Sequence, residues 1–121
     1  MAFQDHFIAI LRKLLDATQS GKLVWSETAD EETYRVTFRD GMVNVTRIPG
    51  AVDRPLRTKY TANLLNEQNT VVAEFDPQND IDGALLSNLF QAARESALKP
   101  DKVLAGIEAE LDSRLRRNGN R

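Results

Sequence analysis

Few residues of this chain can do bond chemistry. His6 is the only imidazole and there is no cysteine, so a nucleophile activated by a histidine base could be built around one ring alone. His6 stands beside Phe7 at the edge of an apolar helical stripe, where a lone histidine is expected to be a surface residue. Neither Gly-x-Ser-x-Gly, Gly-x-Gly-x-x-Gly nor Gly-Lys-Ser/Thr occurs, so no nucleophile elbow and no phosphate cradle is expected. One histidine cannot build a multi-histidine metal site. The acidic run Glu27, Asp30, Glu31 and Glu32 lacks the oxygen-ligand spacing of a calcium loop and reads as solvated. Asp76, Asp80 and Asp82 remain as acid–base candidates, although a loop and a helix start account for them through the helix dipole. The expectation is no catalytic residue, no cofactor and no metal; a carboxylate-dependent enzyme stands third among the functional readings.

Charged surface offers more than reactive groups do. Arg35, Arg39, Arg57 and Lys59 fall on one face of a sheet read from alternation, together with Thr37, Asn44, Thr46, Thr61 and Asn63. Such a face could dock an acidic protein or a nucleic-acid backbone. The competing reading is a solvated face whose charges pair across strands, as antiparallel sheets commonly have, and no aromatic residue interleaves the cations to stack on bases. Arg114, Arg116 and Arg117 sit where a helix C-terminus favours cations whatever the partner. With 16 Lys and Arg against 18 Asp and Glu, a net charge of −2 and a pI near 5.4, the whole chain has no pull toward anionic polymers or membranes.

These groups must be positioned by a small core. A chain of 121 residues with 41% apolar content is the size of one domain. The first apolar run, Phe3, Phe7, Ile8, Ile10, Leu11, Leu14 and Leu15, has helical spacing, and Gly21 stands at a left-handed cap position. The charges at Asp5, Arg12, Lys13 and Asp16 exclude a signal peptide or membrane span there. Lys22 to Ser26 is short and β-prone, with Trp25 as a core anchor. Tyr34, Val36 and Phe38 alternate with polar residues, Asp40-Gly41 reads as a two-residue turn with positive φ, and Val43 and Val45 return. Leu56 to Leu65 and Thr70 to Phe75 give two further strands, and short connections favour a meander. The organising element is Ile81 to Leu98, where Ile81, Leu85, Leu86, Leu89, Phe90, Ala93 and Ala97 form one helical face and Asp80 is placed as the cap. Pro100 opens a third amphipathic helix marked by Val103, Leu104, Ile107, Leu111 and Leu115. The expected fold is α+β: an N-terminal helix, an antiparallel β-meander of about four strands, and two C-terminal helices packed on one sheet face. Residues 1–117 form a single domain, and Asn118 to Arg121 a frayed tail.

Gly21-Lys22-Leu23-Val24-Trp25 after an opening helix, with Leu85-Leu86-Ser87-Asn88-Leu89-Phe90-Gln91-Ala92-Ala93-Arg94 running into Ala97-Leu98 before Asp101, resembles a group of small stand-alone bacterial proteins. Those have a helix, a β-meander and two closing helices. The resemblance implies a bacterial, cytoplasmic origin and supports this layout; it brings no functional residue with it. The leading functional expectation is a non-catalytic protein-interaction module that binds a protein partner or a second copy of itself. A homodimer contact is expected through Phe3, Phe7, Ile10 and Leu14, because three helices compete for one sheet face and the first carries two apolar rows. The second expectation is a nucleic-acid-associated regulatory protein using the cationic sheet face. No membrane association is expected.

Overall fold

The computed structural model describes residues 3–50 and 58–119. Helix α1 (Phe3–Gln19) leads into five strands, β1 (Ser26–Glu27), β2 (Thr33–Thr37), β3 (Gly41–Ile48), β4 (Lys59–Asn66) and β5 (Val71–Phe75), followed by α2 (Asp80–Leu98) and α3 (Pro100–Gly119). The strands lie side by side in chain order, every neighbouring pair antiparallel. The α+β class, the N-terminal helix, the meander and the closing helical pair are those expected. Strand β1 is the addition. Asp30 closes a tight turn, its carboxylate accepting from the Glu32 amide at 2.9 Å and the Thr33 hydroxyl at 3.0 Å, and this reverses the chain so that Ser26 and Glu27 pair with Arg35 and Tyr34. The expected strand start at Leu56 lies outside the described residues.

Alternation sets the core. Register aligns Tyr34, Val45, Ala62 and Phe75 across four strands, and all four are buried against Leu86, Leu89, Phe90 and Ala93 of α2 and Phe7, Leu11 and Leu14 of α1. Tyr34 and Tyr60 each meet the Phe90 ring at 5.5 Å between centroids, and Phe7 meets Phe75 at 5.8 Å; such tilted and edge-to-face pairs add to the burial of the rings. Trp25 is 2% exposed and ties three segments together. Its indole N–H donates to the Thr18 hydroxyl at 2.8 Å, and its amide donates to the Ser96 hydroxyl of α2 at 2.9 Å. Gly21, at φ 74°, ends α1 as expected, with the Lys22 amide donating to the Ala17 carbonyl at 2.8 Å.

Two local expectations are corrected. The β2–β3 turn is not Asp40-Gly41: the Phe38 amide donates to the Gly41 carbonyl at 2.8 Å and Thr37 pairs with Met42, so Arg39 and Asp40 occupy the centre, neither at positive φ. Gly41 is needed for a different reason, since a Cβ there would collide with the Leu65 carbonyl oxygen of β4. The cap of α2 is Asn79 rather than Asp80. The Asn79 side-chain oxygen accepts from the Asp82 amide at 2.8 Å while its amide group donates to the Asp82 carboxylate at 3.1 Å.

The helical pair packs on the sheet through α2. Lys99, in the left-handed conformation at φ 52° and ψ 57°, breaks the helix, Pro100 restarts it, and every residue of α3 from Asp101 to Arg117 is exposed. No described helix is long and apolar enough to cross a membrane.

Candidate partner-binding site

The surface that stands out is the apolar face of α3. Val103, Leu104, Ile107, Leu111 and Leu115 are 50–67% exposed, and at about 100° per residue they fall within an arc of about 120°. A helix with such a stripe ordinarily lays it on a core; among the described residues this stripe is left exposed. On one flank stand Asp101, Glu108 and Asp112, and on the other Glu110 and Arg117, while Arg114 falls inside the arc between Val103 and Ile107. Glu110 and Arg114 form an i, i+4 ion pair at 2.8 Å, which leaves Arg117 as the cation of that flank with no ion pair among the described residues.

A second apolar feature lies at the hairpin end of the sheet. Ile10 and Leu14 of α1 face Phe38, Met42, Leu64 and Val72 across a groove of about 810 Å³. Its rim is charged, with Lys13 and His6 on the α1 side and Asp40 in the β2–β3 turn opposite. The groove forms because α1 packs its Phe7, Leu11, Leu14 and Thr18 face inward and stops short of covering Phe38 and Val72, which are 45% and 55% exposed.

The expected dimer row on α1 divides. Phe7 and Leu14 are 4% and 5% exposed, spent on the core, so a partner cannot reach both with the fold intact; Phe3 and Ile10 are exposed, and Ile10 lines the groove. Of the second row, Ile8, Leu11 and Leu15, Leu11 belongs to the core cluster and the other two pack against it. Helix α1 therefore has little apolar surface to spare, and the surplus belongs to α3.

Part of the expected polar sheet face forms a single cross-strand row. Arg35, Asn44, Asn63 and Glu74 are cross-strand neighbours, the Arg35 Nε donates to Asn44 Oδ1 at 2.9 Å, and Glu74 adds a carboxylate to the same row. Lys59 stands opposite Ile48 at the far end of β4, and Arg39 is in the hairpin turn. Arg57 lies outside the described residues. The cations are spread along the sheet rather than clustered.

A polar cleft of about 580 Å³ separates the acidic turn from α2. Within it the Arg47 guanidinium binds Glu32 with two parallel bonds of 2.7 and 2.9 Å, the bidentate arrangement that suits a carboxylate. That hydrogen bonding holds the Glu32 carboxyl below its ordinary value, with a smaller opposing effect of burial, and raises Arg47 in turn. Arg94 faces the same carboxylate, and Tyr34, Tyr60 and Phe90 form the floor. The arrangement ties the acidic turn to β3, and it pairs no base with a nucleophile. Among the described residues no three His, Cys, Asp or Glu side chains could hold a metal. Asp76 and Asp80 are exposed, and Asp82 serves the α2 cap.

No family model matches this chain, and no curated protein or solved structure is similar to it.

Sequence reasoning found the α3 stripe and assigned it to the sheet. The signal that separates α3 from α2 is charge. Helix α3 carries Asp101, Lys102, Glu108, Glu110, Asp112, Arg114, Arg116 and Arg117, against only Asp80, Asp82, Arg94 and Glu95 on α2. The groove left no such signal, since its walls come from α1, the β2–β3 hairpin, β4 and β5.

Proposed function

We propose that this protein is a non-catalytic interaction module whose docking element is α3. The observation that carries this reading is the run of five large apolar side chains along one arc of that helix, all at least half exposed. Soluble domains rarely leave a contiguous apolar face uncovered, and an amphipathic helix laid in a groove is a recurring way to cover one. The single-residue joint at Lys99 supports the reading, because it holds α3 apart from the core that α2 completes. A nucleic-acid role has less support: Arg35 is engaged with Asn44, and Glu74 stands in its row. A cytoplasmic setting is part of the proposal, and a chain with no cysteine to cross-link fits it.

The test is affinity capture with the intact tagged chain and with a variant carrying Ile107→Asp and Leu111→Asp. Both positions are exposed, so the variant folds. Bound protein, including untagged copies of the chain itself, is expected with the wild type and lost with the variant. Equal capture by both overturns the assignment to α3.

A further inference from the structure

We infer that the groove beside α1 receives the α3 stripe of a second copy of this chain, exchanged reciprocally so that two copies close about a two-fold axis. This rests on the reading of α3 as the docking element. One chain holds both halves of such a contact, an apolar helical ridge and an apolar groove, both exposed among the described residues. Their lengths agree. The stripe runs from Val103 to Leu115, about 18 Å at 1.5 Å per residue, and α1 walls the groove from His6 to Ala17, about 16 Å on the same rise.

Their charges agree as well. The groove presents Lys13 on its α1 rim and Asp40 on the rim opposite. The stripe presents Asp101, Glu108 and Asp112 on one flank and Arg117 on the other, where the Glu110 carboxylate is taken up by Arg114 at the edge of the stripe. With the acidic flank along α1, each rim meets opposite charge; with the helix reversed, each rim meets like charge. The pairing therefore selects one direction of the helix along the groove as well as its position. An anionic membrane is the poorer occupant of the stripe, because three carboxylates line its edge.

The chain's own α3 is not the occupant. No residue of α2 lines the groove, and α3 is joined to α2 through Lys99 alone. Reciprocal exchange fills both grooves and covers both stripes. One-way insertion would leave a free stripe and a free groove at the ends and run on as a filament.

Light scattering across the micromolar range tests this. The expected mass rises to 27.2 kDa, twice the 13.6 kDa of the chain, and stops there. Ile107→Asp with Leu111→Asp on the stripe, and Val72→Arg in the groove, each return it to 13.6 kDa. These residues are exposed in the single chain, so circular dichroism and Tm at low concentration stay those of the wild type. A wild-type mass of 13.6 kDa throughout, or Val72→Arg remaining dimeric, overturns the inference. Because the protein has no cysteine, a mixture of Leu111→Cys chains with Val72→Cys chains is expected to oxidise to the mixed dimer. Predominance of Leu111→Cys homodimers would set stripe against stripe and overturn the groove. If the wild type is monomeric yet the stripe captures a different protein, the inference fails and the interaction reading stands; a monomer with no stripe-dependent capture removes both.

Discussion

Removing the Thr18 hydroxyl tests whether Trp25 pins the two helices that carry the core. In the native protein the Trp25 indole N–H donates to Thr18 Oγ1 at 2.8 Å, and that hydroxyl donates to the Leu14 carbonyl at 2.6 Å. Both side chains are buried, at 2% and 8% exposure. Thr18→Val keeps the shape of the side chain and leaves the indole N–H in a closed apolar setting without an acceptor. A buried donor left unpaired costs about 1–3 kcal/mol, and no large cavity adds to it. Trp25→Phe removes the donor and part of a buried ring, with a similar loss expected from lost packing. In the double variant the orphaned donor no longer exists, so its destabilisation should fall short of the sum of the single losses by about 1 kcal/mol. Urea denaturation followed by far-UV circular dichroism measures all four members of the cycle. The sole tryptophan also gives a fluorescence probe of the junction in the wild type and in Thr18→Val. A Thr18→Val midpoint equal to the wild type, or strictly additive losses, would refute the account of Trp25 as a hydrogen-bonded pin.

Leu89→Ala should cost about 2–5 kcal/mol, because Leu89 is 0% exposed at the centre of the α2 face; a denaturation midpoint near the wild type would contradict it. Gly41→Val should destabilise by about 1–3 kcal/mol through overpacking, since its side chain would press on the Leu65 carbonyl, and thermal melting would register the drop. Asn79→Ala removes the α2 cap and should cost about 0.5–2 kcal/mol, again read from the denaturation midpoint. The Glu32 carboxyl is held below its ordinary value of 4.5 by Arg47. Its folded-state value is depressed, so the pair's contribution is present above the unfolded value and is lost as pH falls through the folded one. Stability of Glu32→Gln should therefore depend less on pH across that acid window, and parallel acid titrations of the two proteins would show the difference or its absence.

The meander was legible because alternation is a local property: Tyr34, Val36, Val43, Val45 and Ala62 point inward by period two, and register confirms it. The helices were legible by the same logic at a period of 3.6. What failed depended on neighbours in space. Asp40-Gly41 has the composition of a tight turn, yet Gly41 is there to let β4 approach. Asn79 and Asp80 are both cap formers, and only backbone geometry chooses between them. The two rows on α1 look alike in sequence, but burial cuts across them: Phe7, Leu14 and Leu11 are in the core, Ile8 and Leu15 pack at its margin, and Phe3 and Ile10 are exposed. An amphipathic stripe says that something should cover it and cannot name what. For α2 the cover is the sheet; for α3 no cover is found among the described residues.

Hydrogen exchange along α3 in dilute protein tests that last claim most directly. An amphipathic helix with its apolar face uncovered lacks the tertiary packing that gives most helices in proteins their stability. Amides of Pro100–Gly119 are therefore expected to exchange much faster than those of Asp80–Leu98, which lie behind the buried Leu86, Leu89 and Phe90. Protection of α3 equal to that of α2 at the lowest concentration would mean that its own chain already covers the stripe, and would contradict α3 as the docking element.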